Sequence, residues 1–310
     1  MDFSEKARTL VQEQIGEWDL VGRNYEGLRN VKVKTFDFGD FNIDIQYNPE
    51  RIISSVAKVD PQSIEERSCF LCKKNLPTLQ RMIPFDDNFV ILVNPFPIFP
   101  EHLTIANANH TDQRIFGNFG TMLELASQLS KFVIYYNGPK CGASAPDHLH
   151  FQAGYKGFIP IEHDFSSEIC CREVRTIDGV KVSHWPEYQR GIITLTSNNK
   201  SDLIGCFNKI YHQLQIAKQD EPEPMVNIIA AFERKTWTIH IFPRTEHRPR
   251  QFYETGEKQI VLSPASVDMG GLLVTPREED FLKITEEDVI DIFEQVCFDT
   301  QSVLTLINKL

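Results

Sequence analysis

The sequence predicts an α+β protein built from two half-units of similar order, each an antiparallel sheet flanked by helices. The composition is that of an ordinary globular protein, with 310 residues of which 41% are hydrophobic and 24% charged. Apolar patterns over 88–154 follow the order strand, strand, helix, strand, loop, strand, which is typical of this fold class. A weaker copy of that order follows in the second part of the chain. We therefore expect three units, 1–60, 61–160 and 161–310, with the last a degenerate copy of the second.

The first unit contains a helix and a hairpin. The opening stretch MDFSEKARTLVQEQIGEWDL is charged and amphipathic, without the apolar core of a signal peptide. Residues 31–48 alternate and turn at Phe38-Gly39-Asp40, which predicts a β-hairpin. No window reaches the length of a membrane span. We expect a cytoplasmic protein that does not associate with membranes.

The second unit supplies the clearest pattern. Two apolar runs in 88–110, separated by a proline-rich bend, predict antiparallel strands. Residues 111–132 have helical spacing, with Thr111 or Asp112 as the predicted N-cap. The strand FVIYYN, a loop rich in glycine, proline and serine, and a final strand follow.

The third unit repeats this order. RGIITLT predicts a strand, 200–219 a helix, and MVNIIAAFE, WTIHIFPR and GGLLVTP three further strands. TEEDVIDIFEQVCFDTQSVLTLIN predicts one closing helix, with Thr285 and Asp288 as its capping box.

The final strand of the second unit carries an unusual polar row. In DHLHFQ, His148, His150 and Gln152 alternate with two large apolar residues. Residues at i, i+2 and i+4 of a strand share one face, so the three polar side chains are predicted to point one way. A surface strand that happens to carry two histidines is an equally good interpretation of this run alone.

The cysteines raise the question of a metal. Seven are present and no export signal precedes them, so a disulfide framework is not expected. Cys69 and Cys72 have metal-ligand spacing, and His110 and His148 would complete a tetrahedral zinc site with no open position, which makes it structural. A redox pair and two buried cysteines remain alternatives.

The charge limits the partners. A net charge of −11 and a pI near 5.3 argue against a nucleic-acid-binding surface. A local pocket for a small phosphate-bearing molecule is compatible with this balance.

These motifs resemble a known family. The pattern His-x-His-x-Gln at 148–152, preceded by YNGPKCGAS, is similar to the transferase branch of the histidine-triad (HIT) superfamily. That branch includes galactose-1-phosphate uridylyltransferase, diadenosine tetraphosphate phosphorylase (ATP adenylyltransferase) and the GDP-hexose phosphorylases. VNPFPIFPEHLTIA resembles their nucleoside-pocket strands, and WTIHIFPR with GGLLVTPREEDF resembles their degenerate second half. The likeness extends over about 65–285, and the cysteine and histidine set looks like the structural zinc site of the uridylyltransferases.

The resemblance implies a covalent mechanism. His150 would attack the α-phosphorus of a nucleotide, and phosphate or a sugar 1-phosphate would then collect the nucleotidyl group. Gln152 would donate a hydrogen bond to the α-phosphoryl oxygens. Glutamine cannot transfer a proton at neutral pH, which favours transfer over hydrolysis. The resemblance further implies nucleotide or phosphate contacts from Asn94, Phe96, Asn137, Gly142, Ser144 and Arg244.

Several alternatives stay open. A sensor or scaffold that binds nucleotide without turnover and a nucleotide hydrolase are the rival functions. The base, the sugar, the choice between phosphorolysis and exchange, the direction and the oligomeric state are undetermined, with a homodimer as one alternative. His240 is interpreted as a core histidine, His102 as a support of the sheet, and Asp147 as a partner orienting an imidazole or a loop residue.

Overall fold

The computed structural model describes residues 2–56, 59–217 and 221–310. Thirteen strands lie in this part of the chain: β1 Lys32–Asp37, β2 Asn42–Tyr47, β3 Met82–Phe85, β4 Phe89–Val93, β5 His102–Asn107, β6 Phe132–Asn137, β7 His150–Tyr155, β8 Arg172–Ile177, β9 Val180–His184, β10 Ile193–Ser197, β11 Val226–Glu233, β12 Thr236–Pro243 and β13 Leu272–Thr275. The helices are α1 Phe3–Glu17, α2 Asp19–Gly27, α3 Ile52–Ser55, α4 Pro61–Glu66, α5 Phe119–Gln128, α6 Pro160–Ser166, α7 Lys200–Ala217, α8 Arg250–Tyr253, α9 Ser266–Met269, α10 Glu278–Lys283, α11 Glu286–Val296 and α12 Thr300–Asn308. None of the helices within these ranges is long and apolar enough to cross a bilayer.

Ten strands form one continuous sheet in the order β3-β4-β5-β7-β6-β11-β12-β10-β9-β8. The strands of the second half repeat those of the first in mirror order about the central antiparallel pair of β6 and β11. That pair aligns Asn137 with Asn227 and Ile134 with Ala230. The α+β class with two antiparallel half-units is therefore confirmed.

The two faces of this sheet pack against different layers. Helices α1, α5 and α7 cover one face, where the Phe119 and Phe207 rings stack with centroids 3.9 Å apart. A second core covers part of the other face and includes the small sheet β1-β2-β13. The predicted hairpin is confirmed as the β1–β2 pair, and β13 extends it in parallel. The free part of this second face holds the candidate site.

The predicted helix over 111–132 is shorter than expected. Only α5 is helical, and the proposed caps Thr111 and Asp112 lie in extended chain before it. The Thr111 carbonyl accepts a hydrogen bond from the Leu149 N–H at 2.6 Å, and the Gln113 side chain is buried against the sheet. These contacts tie the segment to the beginning of β7, so it does not form a helix.

The closing helix is two helices. Asp299 caps α12 by accepting a hydrogen bond from the Ser302 N–H at 2.7 Å, and the chain is extended at Cys297 before it. The predicted capping box of α11 is confirmed, because Thr285 and Asp288 exchange hydrogen bonds. The helix predicted over 200–219 is α7, Lys200–Ala217. Residues 218 and 219 of the prediction lie outside the described ranges.

Candidate active site

A cavity of about 740 Å³ opens on the second face of the sheet, over the ends of β4, β5 and β7. This volume suits a nucleotide-sized ligand. Among the predicted site residues, the following line it: Asn94, Phe96, Ser144, His150 and Gln152. Much of the remaining wall is apolar, with Trp18, Leu20, Phe70 and Leu76 among its members. Five predicted site residues from separate parts of the sequence therefore lie together in one cavity.

His150 is held as a neutral imidazole. Its ring is buried, and Nδ1 lies 2.8 Å from the carbonyl oxygen of His148. A carbonyl can only accept, so Nδ1 carries the proton and Nε2 keeps its lone pair. Burial lowers the pKa of His150 to about 4, so the imidazole is uncharged near neutral pH.

Gln152 is oriented by a buried histidine that the sequence suggested only as a sheet support. The Ile98 N–H donates to Nδ1 of His102 at 3.1 Å, which leaves the His102 proton on Nε2. That N–H lies 2.9 Å from Oε1 of Gln152 and 2.5 Å from the Tyr135 hydroxyl oxygen, and both oxygens can accept from it. With its oxygen held by His102, Gln152 directs its amide donors away from that contact. Burial lowers the pKa of His102 to about 3, which keeps the ring in this neutral form.

The backbone of His150 is fixed by a side chain that sequence reasoning missed. The fully buried Gln113 accepts from the His150 N–H at 2.8 Å and donates to the His150 carbonyl at 3.0 Å. It also donates to the Asn137 carbonyl at 2.9 Å. A lone glutamine in a helical pattern carries no signal for this role.

The four predicted metal ligands meet beside the cavity. Their nearest ligand atoms, two sulfurs and two imidazole nitrogens, all lie within 4.8 Å of one another. Cys69 Sγ is 3.2 Å from His148 Nδ1, and Cys72 Sγ is 3.2 Å from His110 Nδ1. Ligand atoms on a tetrahedral zinc with ordinary bond lengths would stand about 3.5 Å apart. Among the described residues this is the one group of this kind.

The surroundings of these ligands fit a metal as well. His148 Nε2 lies 2.8 Å from the Asn107 carbonyl, so it carries the proton and Nδ1 faces the sulfurs with a free lone pair. Asp147 Oδ2 is 3.8 Å from Nε2 of His110, beyond hydrogen-bond distance, and its Oδ1 accepts from Arg67 instead. Two thiolates and two imidazoles are a donor set typical of zinc.

The predicted row of three polar residues on one strand is only partly correct. β7 begins at His150, and His148 lies in the preceding turn, where its N–H donates to the Ala145 carbonyl at 3.1 Å. This turn directs His148 to the cysteines, whereas His150 and Gln152 line the cavity.

The prediction that Arg244 contacts a phosphate does not fit its position. Arg244 is 1% exposed and lies outside the cavity lining. Its Nε donates to the Val296 carbonyl at 2.7 Å, and Nη1 donates to Oδ1 of Asn227. Nη1 and Nη2 also donate to three further carbonyls, those of Pro264, Glu246 and His247. Every N–H of the guanidinium is thus engaged by the protein.

Asn137 and Gly142 also lie outside the cavity lining. Oδ1 of Asn137 accepts from Asn227 Nδ2 at 3.0 Å and from the Ser266 N–H at 2.8 Å, which links the two halves. Gly142 has φ +88°, and a methyl group there would lie 2.5 Å from Cβ of Ala265. The glycine is therefore required for packing against the second half.

His240 behaves as the predicted core histidine. Its Nδ1 accepts from the Thr194 hydroxyl at 2.9 Å, and Trp185 Nε1 donates to the same hydroxyl at 2.8 Å. Burial lowers the pKa of His240 to about 3.

Known proteins share this fold and part of this sequence. Yeast Ap4A phosphorylase Apa2 in complex with AMP superposes with a TM-score of 0.62 at 17% identity, covering 94% of this chain and 97% of that one. The same enzyme in complex with Ap4A gives 0.58 at 15% identity, with 92% and 98% covered. Galactose-1-phosphate uridylyltransferase 1 of Streptococcus pneumoniae is 28% identical over 173 residues, 51% of this chain and 34% of that protein. The matched segment spans about a third of the length of this curated relative.

These similarities support the resemblance of the chain to the transferase branch of the HIT superfamily. Two family models then specify its halves. Residues 10–155 match a domain of unknown function (DUF4922), and residues 160–307 match the GDPGP1-like C-terminal domain. The unit boundaries at 60 and 160 stay predictions.

Proposed function

We propose that the chain is a nucleotidyltransferase or phosphorylase that works through a covalent nucleotidyl-His150 intermediate. The donor is a nucleotide sugar or a dinucleoside polyphosphate, and the acceptor is phosphate or a sugar 1-phosphate. The observation that carries this proposal is a neutral His150 beside an oriented Gln152 in one nucleotide-sized cavity.

The chemistry follows from the hydrogen bonds of His150. Its Nε2 lone pair attacks the α-phosphorus, a P–N bond forms, and the P–O bond to the sugar phosphate or polyphosphate breaks. The ring then carries positive charge. The His148 carbonyl stabilises this charge by accepting a hydrogen bond from Nδ1–H at 2.8 Å. An oxygen of the acceptor next attacks the phosphorus, and the P–N bond breaks to restore neutral His150.

Gln152 supports transfer rather than hydrolysis. Its oxygen is held by His102, so its amide N–H groups are the part that can donate to the phosphoryl oxygens as charge develops there. An amide has no proton to exchange at neutral pH and cannot activate water as a base. The acceptor must therefore bring its own nucleophilic oxygen, as the dianion of phosphate does.

The relatives support this class of substrate. The similar proteins are a galactose-1-phosphate uridylyltransferase and an Ap4A phosphorylase, and the second half matches a GDPGP1-like domain. A GDP-hexose, UDP-hexose or dinucleoside polyphosphate is accordingly the donor class to test.

The four-ligand cluster is proposed to hold a structural zinc. Cys69, Cys72, His110 and His148 would bind it. A zinc with four protein ligands has no open position, so it would supply rigidity rather than activate water. Because His148 precedes β7 by two residues, the ion would fix the entry of the strand that carries His150.

Intact-protein mass spectrometry tests the proposal directly. The protein is mixed with GDP-, UDP- and ADP-sugars and with dinucleoside polyphosphates, beside the variants His150→Ala and His163→Ala. His163 is a matched control because its side chain is 89% exposed on α6. We expect a mass gain of one nucleoside monophosphate with one class of base in wild type and His163→Ala, and none in His150→Ala. Binding of nucleotide without any adduct would favour a sensor or scaffold.

Product analysis separates the remaining alternatives. A phosphorylase needs phosphate for turnover, and an exchange enzyme needs a sugar 1-phosphate. A hydrolase would consume the donor in buffer alone, and that result would contradict the role given to Gln152.

A further inference from the structure

Arg67 has a buried hydrogen-bond donor that no described part of the chain uses. It lies just after α4 and lines the same cavity as His150 and Ser144. Its Nη1 is buried and, among the described residues, has no hydrogen-bond partner. A buried charged donor without an acceptor destabilises the folded state, so a bound ligand that supplies the acceptor would explain its presence here.

The other end of the guanidinium is firmly held. Nη2 donates to Oδ1 of Asp147, and the guanidinium carbon lies 5.2 Å from the centre of the Phe70 ring. An arginine clamped between a carboxylate and an aromatic face has lost most of its side-chain freedom before any ligand arrives. Asp147 is next to His148 in the turn that leads to His150, so the clamp is attached to the catalytic strand.

The charge balance of the cavity singles out this residue. Within the described residues, Arg67 is the one lysine or arginine that lines the cavity. Glu66 also lines it, and the whole chain carries a net charge of −11. His150 is neutral, as its hydrogen bonds and burial require. A diphosphate brings two or more negative charges into this wall, and a fixed guanidinium is the group best shaped to bind them.

We propose that Arg67 is the phosphate-binding cation of this site, positioned by Asp147 and directing its guanidinium group to a phosphoryl oxygen. The inference rests on the proposed function, since it assigns a residue to the same cavity. The shared chemistry is a phosphate group, either that of the nucleotide or that of the incoming acceptor. Neither the metal centre nor the His150–Gln152 pair supplies this permanent charge.

Equilibrium binding tests the proposal without turnover. Calorimetry measures the affinities of wild type, Arg67→Met and Arg67→Lys for GMP, AMP and UMP, for the three nucleosides, and for inorganic phosphate. Arg250→Met is the matched control, because Arg250 is an exposed arginine whose carboxylate partner, Asp291, lies outside the cavity. We expect Arg67→Met to bind the preferred monophosphate or phosphate roughly 10- to 100-fold more weakly, with nucleoside affinity unchanged. Arg67→Lys should recover part of the loss.

The pattern of losses decides the outcome. A loss confined to the monophosphates assigns Arg67 to the nucleotide, and a loss confined to inorganic phosphate assigns it to the acceptor; both support the proposal. Equal weakening of nucleoside and monophosphate, or no change in either phosphate ligand, would overturn it. Metal content and melting temperature are measured on each variant, and if Arg67→Met loses its metal the comparison is made with Arg67→Lys.

This design separates two failures. If wild type binds monophosphates through Arg67 but never forms the covalent adduct, the proposed transfer is wrong and the role of Arg67 stands. If the adduct forms and Arg67→Met binds phosphate as wild type does, the proposed function stands and Arg67 is a structural residue. Wild type that binds neither nucleotide nor phosphate overturns both.

Discussion

Replacing Glu223 with glutamine should remove a pH-dependent loss of stability. Glu223 is 4% exposed; Oε1 accepts from the Ile115 N–H at 2.6 Å, and Oε2 accepts from the Tyr136 hydroxyl at 2.5 Å. Burial raises its pKa to about 7 against these hydrogen bonds and the nearby charge of Arg114. An isosteric amide keeps the acceptor for Ile115 and offers Tyr136 a donor, while it carries no charge.

Proton linkage gives the direction and the magnitude of this change in stability with pH. The folded state holds the Glu223 proton up to about pH 7, whereas a glutamate in the unfolded chain releases it near pH 4.3. The free energy of unfolding contributed by this site therefore falls as the pH rises through those values, by roughly 4 kcal/mol in total. Glutamine has no such term, so the difference between Glu223→Gln and wild type should grow by about 3 kcal/mol from pH 4.5 to pH 8.

Urea unfolding at a series of pH values measures this difference, in which the contributions of all other titrating groups cancel. The same substitution at Glu187, an exposed residue, should change stability by less than about 0.5 kcal/mol throughout. A difference between Glu223→Gln and wild type that stays constant with pH would refute the reasoning. So would a difference that grows as the pH falls.

Three further perturbations test the scaffold of the site. Gln113→Ala leaves the His150 N–H and two carbonyls without their partner, so urea unfolding should show a loss of about 3 to 5 kcal/mol; a loss below 1 kcal/mol would contradict the anchoring role. Gly142→Ala should cost at least about 2 kcal/mol in the same assay, because φ is +88° and the methyl group meets Ala265, and a stable variant would show that this loop can move. Wild type should contain one zinc per chain by elemental mass spectrometry and melt lower after chelation, while Cys72→Ser should lose the metal. Metal-free wild type with an unchanged melting temperature would oppose the zinc assignment.

The chemistry-bearing residues were the most predictable part of the site. Alternation placed His150 and Gln152 on one face of a strand, and the CxxC spacing predicted Cys69 and Cys72 as ligands. These patterns are local, since a strand fixes its own side-chain directions and a CxxC turn brings two thiols together.

The residues that hold the site in place could not be predicted. Gln113 and His102 act through hydrogen bonds to residues 37 and 50 positions away, and no periodicity marks such a contact. The pairing of β5 with β7, which brings His102 close to Gln152, becomes visible only when the sheet is formed.

Arg244 was expected to contact a phosphate, and its position in the fold does not fit that role. The family resemblance implied a phosphate contact for Arg244, but its partners are the Asn227 side chain and backbone carbonyls at the end of α11 and in two loops. Arg67, between the first helices and the cysteine turn, attracted no such expectation although it lines the cavity. An arginine can bind a ligand only if its N–H groups are not already bonded to nearby backbone carbonyls, and sequence patterns do not locate those carbonyls.

The mirror order of the ten strands has an evolutionary consequence. The antiparallel pair of β6 and β11 forms the seam between two half-units with the same strand order. The contact between identical subunits in a two-fold symmetric dimer is arranged in the same way. Once both copies are in one chain, they are free to diverge. The second copy can exchange its catalytic side chains for core residues such as His240, provided it preserves the seam that keeps the first copy assembled.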